Sequence, residues 1–243
     1  VDRLGLRRRH AASAARALAW LRAQEHPVWR LVQQNEASDW ADIMPRTGFV
    51  LYSNVLWYAV KRRYAPREAA ATRAAINTLF YPLERAPLAD RRARVLAEEP
   101  RRRATLRELY VSYLNLAHFG DEGDVVGNVL AVLLGVAHAA RARRILAALR
   151  RENVAQPYPV RAVCRPIDEE SPQWRPYLAR HRQNFPWQYP NGGIWPFAGG
   201  LWVAALARAG RAAQARAALV SLARANALDG WGFSEWLYGL TGV

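Results

Sequence analysis

Apolar residues recur three and four positions apart over most of the 243 residues. That spacing lays an apolar stripe along an α-helix, and a chain patterned this way can build its core only by packing helix on helix. The segments that read as helices are about 5–24, 47–64, 66–80, 89–98, 124–140, 142–151, 193–209, 211–227 and 231–238. Several are separated only by short breaks such as Ala65-Pro66 and Ala209-Gly210-Arg211, and breaks so short force antiparallel helical hairpins. Residues 106–117, rich in Tyr, Val and Leu, read as a strand or an excursion on the rim. Residues 156–190 hold seven of the fourteen prolines and cannot form one helix. Repeated hairpins with long loops on one side describe an all-α, α/α toroid, in which alternate helices form an inner ring and the segments entering them meet at one mouth.

The formal charge of +15 raises the possibility of a nucleic-acid partner, since phosphate binding is driven by clustered cations. Arginine outnumbers lysine 34 to one, beside 45 alanines, so arginine reads as the default surface cation of this composition. Arg7–Arg9 and Arg101–Arg103 are dense runs, and Arg141, Arg143, Arg144, Arg150 and Arg151 read as the solvated face of an amphipathic helix. No specific nucleic-acid partner is expected. A single cysteine, Cys164, excludes a disulfide framework, and the five histidines never fall at ligand spacing, so neither metal nor cofactor is expected. The apolar run over 125–140 is interrupted and too short to span a bilayer, and the first residues lack a secretory core. The expectation is a cytoplasmic protein with no membrane partner. The chain starts at Val1 and stops at Val243, which reads as one domain over 1–243 cut from a longer frame at both ends.

Four segments concentrate acids, amides and aromatics: residues 38–46 (SDWADIMPR), 123–128 (GDVVGN), 187–197 (WQYPNGGIWPF) and 230–242 (GWGFSEWLYGLTG). Each is expected at or just before a helix that opens a hairpin, so that all four face one cavity. Asp39, Asp42, Asp124 and Glu235 would then gather with Trp40, Trp57, Trp187, Trp195, Trp231 and Trp236. Sugars call for this mixture, because their CH faces lie on aromatic rings, their hydroxyls pair with acids and amides, and cleavage of the glycosidic bond uses two carboxyl groups. An Asp before a helix is also an ordinary N-cap, and for Asp124 the cap or hydroxyl-binding reading outweighs catalysis.

Residues 188–206 (QYPNGGIWPFAGGLWVAAL) resemble a stretch of the six-hairpin glycosidases of the neutral/alkaline invertase, amylo-α-1,6-glucosidase and mannosylglycerate hydrolase-like group. Residues 39–58 resemble that group's acid segment and residues 233–242 its Glu segment, with 123–137 and 157–167 adding to the likeness. The resemblance covers roughly residues 35–243. It implies an (α/α)6 toroid that hydrolyses an α-glucosidic bond with inversion and takes a carbohydrate substrate. On that likeness Asp42, the acid nearest Pro45-Arg46, is the general acid and Glu235 the general base, with Asp39 the competing acid. Gln188, Asn191, Gly192 and Gly193 would line the sugar site, Trp40 and Trp195 would supply stacking faces, and Asp39, Arg46, Asp124 and Trp236 would also bind substrate. Burial against Trp40 and Trp57 would raise the pKa of the acid.

Two departures stand beside the likeness. Pro190 occupies a position where the group often has His, and the eight or nine helices fall short of the twelve in a closed six-hairpin ring. A partial or open ring is therefore expected, with weak or no turnover by this piece alone. The competing readings are a non-catalytic carbohydrate-binding or assembly protein on the same scaffold, an Arg-rich nucleic-acid binder, and a lyase or epimerase.

Overall fold

The structure is a computed structural model and describes residues 6–88 and 90–243. The helix starts expected at residues 5 and 89 lie outside the described residues. The elements in chain order are α1 (Leu6–Arg9), α2 (Ala11–Ala23), β1 (Phe49–Val50), α3 (Leu51–Tyr64), α4 (Pro66–Leu79), α5 (Arg91–Arg103), β2 (Tyr113–Leu114), α6 (Val125–Leu133), α7 (Ala139–Arg151), a 3₁₀ turn (Pro176–Leu178), α8 (Pro196–Arg208), α9 (Ala212–Asn226) and a single distorted turn α10 (Leu228–Trp231). Among the described residues no helix is long and apolar enough to cross a membrane.

Three hairpins organise the fold: α3/α4, α6/α7 and α8/α9. Helices α3, α6 and α8 lie side by side, while α4, α7 and α9 each pack on the first helix of their own pair. This is the alternation of inner and outer helices that the short breaks predict. The first break is set by Pro66 at the first position of α4, since the residue before a proline is driven out of helical conformation, and Ala65 has φ −144° and ψ 60°. Helix α6 is the middle of the inner layer, and every residue from Val125 to Val132 is buried, as an apolar-all-round sequence requires. Helix α7 is one-sided: Ile145, Leu146 and Leu149 are buried, while Arg143, Arg144, Arg150 and Arg151 face water.

Arg141 departs from the solvated face expected of it. Its guanidinium lies 3.9 Å from the centre of the Tyr81 ring and 2.8 Å from Glu84, and the residue is buried. It stands at the start of α7, where the helix meets the loop after α4, so packing there overrides the surface pattern.

Two buried asparagines perform one task at the same end of successive inner helices. Asn54, in the first turn of α3, accepts from the Val32 N–H at 2.8 Å and donates to the Val32 and Val50 carbonyls at 3.0 and 2.8 Å. Asn128, at the equivalent place in α6, accepts from the Tyr110 N–H at 2.9 Å and donates to the Tyr110 and Asp124 carbonyls at 3.0 and 2.9 Å. Each amide straps a passing loop onto the helix start and satisfies backbone groups that would otherwise be buried unpaired. The loops at this end are therefore fixed by the inner helices.

Three segments differ from the sequence expectation. The helix expected over 47–64 opens with β1, which pairs antiparallel with β2, Phe49 opposite Leu114 and Val50 opposite Tyr113. Helix α6 stops at Leu133 instead of running to 140, and Gly135 at φ +80° turns the chain into the loop before α7. The helix expected over 231–238 is absent: the single distorted turn α10 ends at Trp231, and no helix runs over 232–238. Asp229, Gly230, Trp231 and Phe233 all have positive φ, and Leu237 instead exchanges two backbone hydrogen bonds with Ile194, at 2.8 and 2.9 Å.

Candidate active site

The segments quoted above meet at the end of the hairpins where the inner helices begin. They are joined by short antiparallel bridges: Asp124 with Val163, Arg161 with Ile194, and Ile194 with Leu237. Residues 160–164 thus form a central strip. The Val125 N–H donates to the Ala162 carbonyl, and the Ala162 N–H donates to the Gly193 carbonyl. Pairing along this strip brings together residues more than one hundred positions apart.

Beside this strip lies a cavity of about 630 Å³ lined by Trp40, Asp42, Tyr189, Trp195, Pro196, Phe197, Asn226, Phe233, Ser234 and Glu235. Asp42 and Glu235 therefore face the same space. Asp42 stands on the loop before β1, which is pinned from beneath by Ala41 and Met44 packed against Val163, Ile167 and Leu178. The Asn184 side chain also donates to the Ile43 carbonyl at 3.2 Å. Glu235 lies two residues before Leu237 and four before Gly239, whose N–H donates to the Trp187 carbonyl at 2.8 Å. A Cβ at Gly239 would sit 2.1 Å from the Gly192 carbonyl oxygen, so the approach of these two strands requires glycine there.

Tyr189 lines the same cavity as the two carboxylates and has no role in the sequence reading. Burial, then the charges of Asp42 and Glu235, then a hydrogen bond with Asp42 raise the pKa of its phenol. The ring is held between Trp195 and Trp236, at centroid distances of 5.1 and 6.1 Å. The Trp195 indole N–H donates to the Tyr189 carbonyl at 3.0 Å. The signal for Tyr189 was its place inside WQYPNGG, but sequence alone does not say that its ring turns toward Asp42. Phe197 and Phe233 were passed over likewise.

The other candidate residues support the cavity from outside its lining. The Asp39 carboxylate accepts from the Ala41 N–H at 2.9 Å and the Gln34 amide at 3.1 Å. The Gln188 side-chain carbonyl accepts from the Phe185 N–H at 3.2 Å. Asn191 is wholly buried and exchanges hydrogen bonds with the Ile167 backbone at 2.7 Å each. At Gly193 a Cβ would meet the Tyr189 carbonyl oxygen at 2.5 Å, so the close approach seen there is of the chain's own backbone. Trp236 flanks Tyr189. Trp57, expected against the acid, points elsewhere: its indole donates to Glu25 at 2.8 Å, and Lys61 lies over its ring. Asp42 is exposed, so the burial expected for the acid is not found.

Arg46 is enclosed in the protein with 1 % of its surface exposed and pairs with Glu122 at 3.1 Å and Asp124 at 3.6 Å. Asp124 also caps α6, accepting from the Gly127 N–H at 3.1 Å. One carboxylate oxygen of Asp124, one of Glu122 and both terminal nitrogens of Arg46 are buried without a hydrogen-bond partner. Burial, opposed by the Arg46 charge and the Gly127 hydrogen bond, pushes the Asp124 carboxyl up to about 6.

A linkage effect follows from Asp124. An unfolded aspartate titrates near 3.9, so between there and about 6 the folded protein holds a proton that the unfolded chain has lost. The stabilisation from protonated Asp124 is complete below about 4 and is lost as pH rises through about 6. Two pKa units correspond to on the order of 3 kcal/mol. Urea unfolding across this window should show stability falling with rising pH more steeply in the wild type than in Asp124→Asn. Equal slopes in the two proteins would refute the shift.

A layer of inner helices, each backed by its outer partner and with long loops gathered at one mouth, defines the (α/α)6 toroid class. A mannosylglycerate hydrolase of glycoside hydrolase family 63 from Thermus thermophilus, crystallised with Tris, has this fold. It is similar at a TM-score of 0.53 and 18% identity over 82% of this chain and 42% of that one. The same enzyme crystallised with glucose matches at a TM-score of 0.53 over 82% of this chain and 41% of that one. The family model for alkaline and neutral invertase matches residues 119–243, just over half of the chain, and the chain belongs to that family. A probable alkaline/neutral invertase D of Arabidopsis thaliana is 36% identical over 109 residues, 44% of this chain and 20% of that protein. The chain spans about two fifths of the solved structures and a fifth of the plant protein.

Proposed function

We propose that this chain carries the two-carboxylate site of a glycoside hydrolase that cleaves an α-glucosidic bond of a sugar or glucan with inversion, on one helical-hairpin domain spanning 1–243. The observation that supports this most is the shared cavity lined by both Asp42 and Glu235 among Trp40, Tyr189, Trp195, Phe197 and Phe233. The family and the names of the relatives point the same way.

In this reading Asp42 protonates the leaving oxygen while Glu235 takes a proton from the attacking water. Inversion needs the two carboxyls roughly 6.5–9.5 Å apart, so that the water fits between the base and the anomeric carbon. The Tyr189 hydroxyl donates to Asp42, holding that carboxylate toward the substrate and sharing its charge after proton transfer. Trp40 and Trp195, edge to face at 5.2 Å, present a rigid wall for the sugar's CH face. Asp39, Arg46, Asp124, Gln188, Asn191, Gly192, Gly193 and Trp236 act on the substrate through the shape they impose on this wall.

The test is hydrolysis of α-D-glucosyl fluoride, an activated substrate, followed by proton NMR. Release of β-glucose as the first product is the expected result. α-Glucose as the first product would exclude inversion, and no hydrolysis above the uncatalysed rate would exclude the catalytic reading of this chain.

A further inference from the structure

A second cavity, of about 650 Å³, lies between the end of α2 and the start of α4, and its charged lining is Arg22, Glu25, Arg30, Arg67 and Glu68. It shares no lining residue with the cavity of Asp42 and Glu235. The volume is that of a site for a small molecule.

Behind this lining stands a buried ion pair. Lys61, the single lysine of the chain, is wholly buried. Its ammonium lies 2.5 Å from one carboxylate oxygen of Glu25, Oε2, and donates to the Thr72 hydroxyl at 2.9 Å. The Trp57 indole donates to the same Glu25 oxygen at 2.8 Å. The Thr72 hydroxyl donates in turn to the Arg30 carbonyl at 2.9 Å, which holds the backbone of Arg30 beside the cavity. The Glu25 carboxylate is thus fixed and its charge matched from within the protein, as a buried charge requires.

The rest of the lining carries a surplus of positive charge. Lys61 matches Glu25, and Arg22 matches Glu68 at 2.7 Å, so Arg30 and Arg67 remain as two cations over one cavity. Both are exposed, and among the described residues neither guanidinium donates a hydrogen bond to a group of the chain. Two free guanidinium forks suit a phosphate monoester, which carries about two negative charges at neutral pH and offers three acceptor oxygens.

Glu25 sets a second requirement. Its other oxygen, Oε1, is buried without a hydrogen-bond partner, and the Arg30 guanidinium 3.8 Å away is too far to supply one. A stranded acceptor of this kind is satisfied by a donor that a ligand brings. A hydroxyl close to a phosphate is what a phosphorylated sugar presents, and the cavity leaves room for the sugar beside the phosphate.

We propose that this cavity binds a phosphorylated sugar, with the phosphate on Arg30 and Arg67 and a sugar hydroxyl donating to Glu25. The site stands apart from the two carboxylates of the other cavity and does not depend on the reaction assigned to them.

Titration calorimetry of the 243-residue chain with glucose 6-phosphate, fructose 6-phosphate, phenyl phosphate and inorganic phosphate tests the site, beside the variants Arg30→Gln, Arg67→Gln and Arg67→Lys. Both arginines are exposed, so the variants should fold, and circular dichroism checks that the helices are retained. At least one sugar phosphate should bind the wild type at least tenfold more tightly than phenyl phosphate or inorganic phosphate, which lack the sugar hydroxyls. Each glutamine variant should lose at least tenfold for that sugar phosphate, and Arg67→Lys, which keeps the charge, should lose less. Equal affinity for all four phosphates, full affinity in both glutamine variants, or no binding of either sugar phosphate would overturn the site.

Discussion

Asp42→Asn and Glu235→Gln are each expected to lower kcat/KM for α-glucoside hydrolysis by roughly 10²–10⁴-fold, the usual contribution of one general acid or base. Each amide keeps the shape of the side chain but cannot give or take the required proton. Both side chains are exposed on loops, so neither change should move the unfolding midpoint. Asp39→Asn should cost far less. The Asp39 carboxylate holds its own loop through Ala41 and Gln34, and an amide keeps the acceptor for the Ala41 N–H. Rates measured on α-glucosyl fluoride for the three variants decide the assignment. An inactive Asp39→Asn beside an active Asp42→Asn would move the acid to Asp39 and leave the rest of the site unchanged.

The largest effect on stability is expected at Arg46. Its guanidinium is the cation in contact with Glu122 and Asp124 in a region that is essentially fully buried. Breaking a buried pair by removing one partner strands the opposite charge in low dielectric and typically costs about 3–5 kcal/mol. Arg46→Met keeps much of the length and loses the charge, so urea unfolding near pH 7 should show a loss of that size. At about pH 5 the loss should shrink, because Asp124 then takes up a proton. Adding Asp124→Asn to Arg46→Met should recover part of the stability by removing one of the two orphaned acids. A loss below about 1 kcal/mol at neutral pH would show that Arg46 contributes little to the fold.

The Arg46 network also sets the geometry of the site. Arg46 is four residues after Asp42, and Asp124 opens α6, so the buried pair ties the Asp42 loop to the middle inner helix. Sequence proximity to Asp42 made Arg46 look like a substrate ligand. Nothing in the local sequence distinguishes an arginine that faces a cavity from one that turns behind its wall.

The hairpins were legible because helix periodicity and breakers are local. Pro66 at the start of α4 and the apolar spacing of α3, α6 and α8 act within a few residues, and the inner-outer alternation follows from the short breaks. The carboxylate segments were legible by type, since acids beside Trp and Gly in loops are costly to explain as core. Their resemblance to a known family added their order. The segment over 231–238 was misread for the opposite reason. Its residues allow a helix by periodicity, but extended pairing of Leu237 with Ile194, and the contact of Gly239 with Gly192, belong to a partner strip more than forty residues away. Local propensity amounts to tenths of a kcal/mol per residue and yields to such pairing.

By itself the sequence determined that the chain would be built of antiparallel helical hairpins, that their long loops would carry the acids and aromatics, and which family the acid and Asn-Gly-Gly segments resemble. Those properties depend on residue type and short spacing. Only the tertiary structure decided that Asp42 and Glu235 share a cavity, that Tyr189 lines it with them, that Trp57 and Arg46 turn away, and that Trp231 and Phe233 stand outward at the mouth. Each of these depends on side-chain direction and on contacts between segments as much as 193 positions apart, the separation of Asp42 and Glu235. Such contacts arise when the packed inner helices bring the loops together, and a linear pattern carries no information about that meeting.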